Sequence, residues 1–321
     1  MSGFTITGGV SFSGAVSMSP APVENTAAWF GGGYAAPTYS RTSNVNRITY
    51  ATDTATASVR GPLSGAKDDL AAAGNFTDGW FAGGRGPVGG STVDRITYAT
   101  DTATASVRGP LSSARYGMGA AGNTNYGWFA AGWSNYSTVD RITWATDTAT
   151  ASVRGPLSLG IAYIAAAGND TDGWFGGGYV QSTTSDRSIV NRITYATDTA
   201  TSSVRGPLSD ARQRLAAAGN SAYGYFGGGS HAGFSAAYSI VDRITYATDT
   251  ATASVRGPLS SARYFMGAAS NTTDAWFAGG QTGGGTTLVD RITFATDTAT
   301  ASVRGPLSAA TRKMAAAGGV Q

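Results

Sequence analysis

Cysteine is absent from the 321 residues of this chain, and histidine occurs once. The missing thiols exclude disulfides, thiolate zinc sites, iron–sulfur ligation and cysteine nucleophiles. A single histidine excludes multi-histidine metal sites and leaves at most one Ser–His–Asp arrangement. Charged residues make up 13% of the chain, which is about half the usual fraction. The composition therefore argues against most enzyme chemistries, and we expect no enzymatic activity and no cofactor.

The charges that are present do not indicate a nucleic-acid-binding protein. The 22 Lys and Arg residues barely exceed the 19 Asp and Glu residues, for a formal net charge of +3. Binding to nucleic acid requires basic residues clustered on one face. No run of eighteen apolar residues occurs, so no membrane span is predicted. We expect neither nucleic acid nor membrane insertion for this chain.

Internal repetition dominates the sequence. The tract RIT[YWF]ATDTAT[AS]SVRGPLS begins at Arg47, Arg95, Arg141, Arg192, Arg243 and Arg291, at intervals of 46 to 51 residues. A small-residue segment follows each tract, as in residues 70–75 (LAAAGN). An aromatic–glycine segment comes next, as in residues 173–178 (GWFGGG). Periods in this range indicate a solenoid, an array or a propeller.

Each repeat unit predicts four short strands and no helix. In one unit the strands are residues 164–169, 173–178, 190–197 and 200–205, with a tight turn at 197–199 between the last two. Thr, Val, Ile and aromatic residues favour strands, whereas Gly, Pro and Asp interrupt them. The turn aspartate, here Asp198, is expected to accept backbone N–H groups and hold its own hairpin. Gly206-Pro207 is expected to end pairing, because proline cannot donate to the ladder.

Six such units predict an all-β fold, a six-bladed β-propeller of four-stranded blades spanning residues 23–321. The alanine-rich strand suits the axis, where converging blades leave room only for small side chains. Trp and Phe suit the wider space further out. The propeller sequence starts on an aromatic–glycine strand, residues 28–33, and ends on an alanine-rich one, residues 314–319. The C-terminal strand is therefore expected to complete the first blade.

The repeated charges have a structural interpretation. Twelve arginines recur at two fixed positions, such as Arg141 and Arg154, beside the six turn aspartates. A catalytic residue is needed only once, so sixfold repetition argues for pairing between strands and blades. We expect a lattice of charge-assisted hydrogen bonds.

The order of residues in a unit resembles a kelch repeat. Arg115, the glycine-rich end of residues 127–132, the strand at 139–146, the Asp147 turn and residues 155–157 (GPL) follow that order. The resemblance covers residues 27–320 and implies a kelch-like propeller. One departure concerns the basic residue after Pro-Leu-Ser, which is Lys67, Arg115, Arg212 and Arg263 but Ile161 and Thr311 elsewhere. Another is that the paired glycines become Ala131-Gly132 in one unit.

The near-identical tracts are also similar to repeats in virion proteins of tailed phages, especially phages of aquatic bacteria. This resemblance implies a structural protein of the virion, in a tail, baseplate, fibre or capsid position. Its partners would be other virion proteins and copies of itself. The first residues have no Lys or Arg and no continuous apolar run, so no secretory signal is predicted. That expectation agrees with assembly in a host cytoplasm.

The copies differ mainly in the segment after the aromatic–glycine strand. These segments are residues 34–44, 85–92, 133–138, 179–189, 230–239 and 281–288, and strand alternation places them on one face with the Pro-Leu-Ser connections. Aromatic and arginine side chains on variable loops over a rigid scaffold are typical of a binding surface. The candidate binding residues are Tyr34, Tyr39, Arg41, Arg85, Trp133, Tyr136, Tyr179, Arg187, His231, Phe234 and Tyr238. The alternative is ordinary loop drift after duplication.

The expected ligand of this face is a host surface glycan or protein. The alternative function is a carbohydrate-binding module in which Trp133, Tyr136 and Tyr238 stack on sugars. His231 has no second His or Cys with which to complete a catalytic or metal site. We interpret it as a surface polar residue.

Residues 1–22 form a separate arm and linker. Period-2 alternation predicts an amphipathic extended segment, whose apolar members are Phe4, Ile6, Val10, Phe12, Val16 and Met18. Such a strand can add to the sheet of another subunit, so these residues are a candidate anchor. The alternative is that the arm packs on its own propeller.

Overall fold

The repeat units fold into antiparallel sheets arranged like propeller blades. The computed structural model describes residues 25–87, 89–234 and 236–318, and it contains six four-stranded sheets in that part of the chain. In each sheet an alanine-rich first strand pairs with an aromatic second strand. The second strand pairs with a Val-Asp/Asn-Arg-Ile-Thr third strand, which pairs in turn with a Ser-Val-Arg fourth strand.

The strand bounds repeat closely from sheet to sheet. The first strands are Ala71–Gly74, Gly119–Gly122, Ala165–Gly168, Ala216–Gly219, Gly267–Ser270 and Ala315–Ala317. The second strands are Ala27–Gly31, Asp78–Ala82, Tyr126–Ala130, Asp172–Gly176, Tyr223–Gly227 and Asp274–Ala278. The third strands are Val45–Thr49, Val93–Thr97, Val139–Thr143, Val190–Thr194, Val241–Thr245 and Val289–Thr293. The fourth strands are Ser58–Arg60, Ser106–Arg108, Ser152–Arg154, Ser203–Arg205, Ser254–Arg256 and Ser302–Arg304.

Shorter elements lie between these strands. Two-residue strands are Tyr34–Ala35, Ser40–Arg41, Tyr179–Val180, Ser185–Asp186 and Thr311–Arg312. Single-turn 3-10 helices are Tyr50–Thr52, Tyr98–Thr100, Trp144–Thr146, Gln181–Thr183, Tyr195–Thr197, Ala232–Phe234, Tyr246–Thr248 and Phe294–Thr296. None of the helices in the described ranges is long and apolar enough to cross a membrane.

One sheet is assembled from both ends of the described chain. Ala315–Ala317 pairs antiparallel with Ala27–Gly31, and Trp29 lies opposite Ala317. The same C-terminal strand also contacts Ala71–Gly74 and Gly267–Ser270, the first strands on either side of it. The first strands surround a narrow cavity of about 90 Å³ that only Ala, Gly and Ser line. Small residues are found there because six strands converge on the same axis.

The core lies between neighbouring sheets. The indole of Trp128, on a second strand, stacks on the ring of Tyr195 in the next sheet, with centroids 3.7 Å apart and planes within 3°. Phe175 and Ile193 of that next sheet pack in the same cluster as Trp128. Each fully buried side chain of this size contributes roughly 1.5–3 kcal/mol. Each pair of sheets therefore shares one hydrophobic layer.

The connection between the third and fourth strands differs from the prediction. The third strand ends at Thr194 rather than at residue 197, and the 3-10 helix Tyr195–Thr197 replaces the expected tight turn. The fourth strand is Ser203–Arg205, shorter than the predicted 200–205. The helical turn directs the Tyr195 ring back onto Trp128, and this contact accounts for the change of direction.

The prediction that each turn aspartate holds its own hairpin is also wrong. The carboxylate of Asp198 accepts hydrogen bonds from Trp128 Nε1 at 2.9 Å and Arg141 at 3.0 Å, and Arg154 Nε lies 3.5 Å away. All three side chains belong to the preceding sheet. We call this arrangement the inter-sheet latch; it recurs at Asp53, Asp101, Asp147, Asp249 and Asp297. The predicted pairing between sheets is confirmed, with charge-assisted hydrogen bonds from the arginines of the third strands and ion-pair contacts at 3.4–3.5 Å from those of the fourth strands.

Candidate binding face

The segments that vary between copies all connect a second strand to a third strand. The Pro-Leu-Ser connections pack against them, as where Leu63 N donates to Ser43 O at 2.8 Å and Leu157 N donates to Ser137 O at 2.8 Å. Both kinds of connection therefore lie at the same end of the sheets. We call this end the variable face; the turns between first and second strands form the opposite face.

Two predicted residues, Arg41 and Arg85, meet at a pair of buried aspartates that sequence reasoning missed. Arg41 Nε donates to Asp68 Oδ1 at 2.8 Å, and Arg85 donates to Asp68 Oδ2 at 2.9 Å. A second oxygen, Asp69 Oδ2, lies 2.6 Å from the Arg85 guanidinium. Burial raises the pKa of Asp69, although Lys313 and Arg85 act in the opposite direction. The result is a compact group of charges with unlike signs.

Two further predicted residues, Trp133 and Tyr179, belong to an aromatic cluster. Their ring centroids are 6.3 Å apart and their planes lie within 8°. Tyr116 lies 6.1 Å from Trp133, within 18° of parallel, and Tyr163 lies 5.5 Å away at 53°. All four side chains are partly exposed. Tyr116 and Tyr163 were not predicted, because they precede the first strands rather than lying in the variable segments.

A separate polar group surrounds Asp186. Its Oδ2 accepts the Ala232 backbone N–H at 2.6 Å and lies 3.3 Å from His231 Nδ1. The Tyr238 ring stands nearly perpendicular to the His231 ring, with centroids 4.9 Å apart. Arg187 donates to Thr183 Oγ1 at 3.0 Å. His231 thus makes surface polar contacts, and no group of three His, Cys, Asp or Glu side chains in the described ranges could hold a metal.

The remaining predicted residues lie apart from these groups or outside the described structure. The Arg312 guanidinium lies 5.2 Å above the Tyr34 ring. Tyr39 and Tyr136 are exposed, at 49% and 39% of their surface. The side chain of Phe234 is outside the described part of the structure. So are the candidate anchor residues Phe4, Ile6, Val10, Phe12, Val16 and Met18.

Six residues form a ring where the alanine-lined cavity meets the variable face. Each comes from a different repeat and lies two residues before a first strand: Asp69, Gly117, Tyr163, Arg214, Phe265 and Lys313. We call them the central ring. Each backbone N–H donates to the carbonyl of the preceding ring member, and Asp69 N donates to Lys313 O at 3.0 Å. The hydrogen bonds thereby return to their starting residue.

All six ring members have left-handed backbones, with φ between 55° and 68°. Glycine adopts this region without steric cost, whereas other residues rarely do. Only Gly117 is a glycine, and a Cβ there would lie 2.9 Å from the Tyr163 ring. The other five positions therefore carry a side chain although their backbone conformation favours glycine.

Aromatic and charged side chains alternate around much of the central ring. The Arg214 guanidinium lies 4.7 Å from the Tyr163 centroid and 5.1 Å from the Phe265 centroid. Lys313 Nζ lies 4.7 Å from the Phe265 centroid and 3.5 Å from Asp69 Oδ2. Burial lowers the pKa of both Lys313 and Arg214 and raises that of Tyr163. These groups share one poorly hydrated site.

A signal for the central ring was present in the sequence. A pair of adjacent residues shortly before each first strand differs in every copy, although similar segments flank it. The pairs are Asp-Asp, Tyr-Gly, Ala-Tyr, Gln-Arg, Tyr-Phe and Arg-Lys, starting at residues 68, 116, 162, 213, 264 and 312. Aligning the copies at these positions would have found the ring.

No protein-family model matches this sequence, and no curated protein matches it. The chain is similar to the solved structure titled "Structure of YjhT", with a TM-score of 0.69 over 89% of this chain and 98% of that chain. The two sequences are 12% identical. At that level of identity the similarity shows the fold alone, an all-β, propeller-like arrangement of sheets.

Proposed function

We propose that this chain is a non-enzymatic interaction protein of a phage virion. It is a closed, six-bladed, kelch-like propeller that docks to neighbouring subunits and presents its variable face to a ligand. The observation that carries the proposal is a contrast between copies of the repeat. The inter-sheet latches are nearly the same in all six, whereas the central ring carries six different residues.

Two contacts support closure of the propeller. The hydrogen bonds of the central ring run from Asp69 through the other members to Lys313 and back to Asp69. The latch at Asp53 accepts hydrogen bonds from Trp276 and Arg291, so the last full sheet is joined to the sheet that contains the first described strand. A non-enzymatic role agrees with this organisation, because most acids and bases are paired in repeated structural contacts.

The position of Asn25 supports docking through residues 1–22. Asn25 Nδ2 donates to Asn75 O at 3.1 Å, and Thr26 O accepts the Tyr50 N–H at 2.9 Å. Asn75 lies in the turn between a first and a second strand, so Asn25, the first described residue, lies at the opposite face. An anchor attached to that face leaves the variable face available to a ligand.

Placement in a virion rests on the similarity of the RITYATDTATASVRGPLS tracts to repeats of phage virion proteins. Mass spectrometry of purified phage particles tests it, and we expect peptides of this chain in stoichiometric amount. Deleting residues 1–22 should abolish incorporation and leave the thermal transition of the isolated protein unchanged. Particles that lack the chain contradict the virion assignment, and particles that incorporate the truncated chain contradict the anchor.

A further inference from the structure

We propose that the variable face carries a carbohydrate-binding site formed by Tyr116, Trp133, Tyr163 and Tyr179 with Arg85, whose guanidinium Asp69 positions. The site rests on the proposed function of this face and adds the class of ligand. It differs from the set expected from sequence, because Tyr136 is not part of the cluster and Tyr238 packs against His231 instead.

The aromatic part of the site can accept the apolar face of a sugar. Trp133 lies 6.1 Å from Tyr116 and 6.3 Å from Tyr179, and the rings are within 18° of parallel. Rings that stack directly in the core, such as Trp128 and Tyr195, are 3.7 Å apart. The wider spacing and the partial exposure leave ring surface uncovered. The C–H groups of a pyranose can pack on such surface, as apolar groups generally do on aromatic rings.

The polar part of the site lies against the same rings. The Arg85 guanidinium is 5.1 Å from the Tyr116 centroid and 2.6 Å from Asp69 Oδ2. A guanidinium only donates hydrogen bonds, and sugar hydroxyls can accept them. The Asp69 side chain is 2% exposed, so it holds the Arg85 guanidinium in place rather than contacting the sugar. Arg85 keeps a third of its side-chain surface exposed and is therefore accessible to a ligand.

The charges around the rings argue against a cationic ligand. Guanidinium groups already lie over two rings of the cluster, Arg85 over Tyr116 and Arg214 over Tyr163. A quaternary ammonium or a lysine side chain would compete with them for the same ring faces and would be repelled by them. The site therefore fits a neutral or acidic polyol better than a cation.

The small number of large exposed hydrophobic side chains favours a sugar over a protein partner. A stable protein interface covers about 800 Å² on each partner, around aromatic and apolar anchors that become fully buried. In the described residues, the large exposed hydrophobic side chains of the variable face are Tyr39 and Tyr136. The others are valines of the fourth strands, such as Val107 and Val153, which lie at the rim. The variable face instead offers half-buried Tyr and Trp rings beside charged groups.

The backbone of the central ring gives an independent argument for a ligand. Asp69, Tyr163, Arg214, Phe265 and Lys313 keep left-handed conformations that are unfavourable for residues with side chains. Strained residues of this kind cluster at functional sites. Asp69 and Tyr163 of the proposed site are two of these five residues. Ligand binding through these side chains is a reason for them to be kept where glycine would be less strained.

Binding of the full-length chain to an array of bacterial surface oligosaccharides tests the proposal. We expect saturable binding, with Trp133→Ala and Tyr163→Ala each weakening it by about tenfold or more. Trp133→Phe should retain part of the affinity, because it keeps an aromatic face. Phe76→Ala is the matched control, since Phe76 is a half-buried aromatic residue in a turn of the opposite face. Circular dichroism and thermal melting establish that each variant is folded.

Absence of binding to every oligosaccharide overturns the inference. Binding that folded Trp133→Ala and Tyr163→Ala retain in full also overturns it, because the sugar would then lie elsewhere. So does saturable binding to a host surface protein that persists after enzymatic removal of its glycans. These outcomes are separate from a failure of the proposed function, which would appear as absence of the chain from purified particles.

Discussion

At the scale of single residues, a buried ion pair that occurs in four of the six sheets explains two irregularities of the repeat. Lys67 Nζ lies 2.7 Å from the Asp94 carboxylate, and both side chains are at most 1% exposed. Equivalent pairs in three other sheets are Arg115–Asp140, Arg212–Asp242 and Arg263–Asp290. Where the cation is replaced, by Ile161 or Thr311, the carboxylate is replaced too, by Asn191 or Asn46. The two charges are thus lost together.

The amide can replace the carboxylate because one of its hydrogen bonds is preserved. Asp140 Oδ2 accepts the backbone N–H of Ser112, and Asn191 Oδ1 accepts the equivalent N–H of Ser158, both at 3.1 Å. Ser202 adds a further hydrogen bond to Asn191 Oδ1 at 2.9 Å. A lone buried carboxylate would instead be strongly destabilising.

The two sheets that lack the buried ion pair suggest a test of its role in the sheet of Lys67 and Asp94. Asp94→Asn alone should lower the free energy of unfolding by about 3–5 kcal/mol, because it leaves the Lys67 ammonium buried without its counter-charge. The double variant Lys67→Ile/Asp94→Asn copies Ile161 and Asn191 and should regain most of that loss. Denaturant unfolding of the wild type, both single variants and the double variant measures the coupling. If the double variant loses the sum of the free energies lost by the two single variants, the two side chains are not coupled and the prediction is wrong.

At the scale of structural elements, the glycine after each fourth strand marks a close approach between sheets. Gly155 N donates to Asp198 O in the next sheet at 2.8 Å. A Cβ on Gly155 would lie 2.0 Å from the carbonyl oxygen of Ala200. The equivalent distances at Gly61, Gly109, Gly206, Gly257 and Gly305 are 1.9–2.0 Å. The glycine is therefore required by the neighbouring sheet as well as by the end of strand pairing.

Gly155→Ala should be destabilising by about 1–3 kcal/mol, because two backbones must separate to admit a methyl group. Gly283→Ala is the control, since no atom lies within 4 Å of a Cβ built at that loop position. Thermal denaturation of the two variants provides the comparison. Equal melting temperatures would show that the contact between the sheets is adjustable.

The strands within each sheet could be predicted from the sequence, whereas the contacts between sheets could not. Strand propensity and turn residues predicted the four strands of each sheet and placed the alanines at the axis. The direction of the Asp198 carboxylate was not predictable, because its donors Trp128 and Arg141 lie in the preceding sheet. The contacts within the central ring could not be predicted for the same reason. Asp69 and Lys313 are far apart in the sequence, and only the arrangement of sheets brings Lys313 Nζ within 3.5 Å of Asp69 Oδ2.

At the scale of the whole molecule, the pairing of the two ends makes the C-terminal strand essential. Ala315 and Ala317 share a hydrophobic cluster with Trp29 and Phe81. Thr311–Arg312 pairs with Tyr34–Ala35 on the variable face. Removing residues 311–318 takes away both pairings and opens the central ring at Lys313. Neighbouring sheets then lose a shared hydrophobic layer.

A chain that ends at residue 310 should therefore lose its cooperative thermal transition and elute as an aggregate or an expanded monomer. A chain shortened only by residues 319–321 serves as the control and should behave like the wild type. Size-exclusion chromatography with light scattering and calorimetry make the comparison. Retention of a compact monomer with a sharp transition would show that five sheets suffice.

The central ring determines which residues of such a protein can be substituted during evolution without disturbing the fold. Its members are held in place by main-chain hydrogen bonds, so the fold constrains the identity of their side chains only weakly. Six repeated sheets thus supply six positions around one axis where a side chain can be exchanged without altering the main-chain hydrogen bonds. In the binding role that we propose, the exchange of one or two of these side chains changes the ligand, while the inter-sheet latches and the core stay as they are.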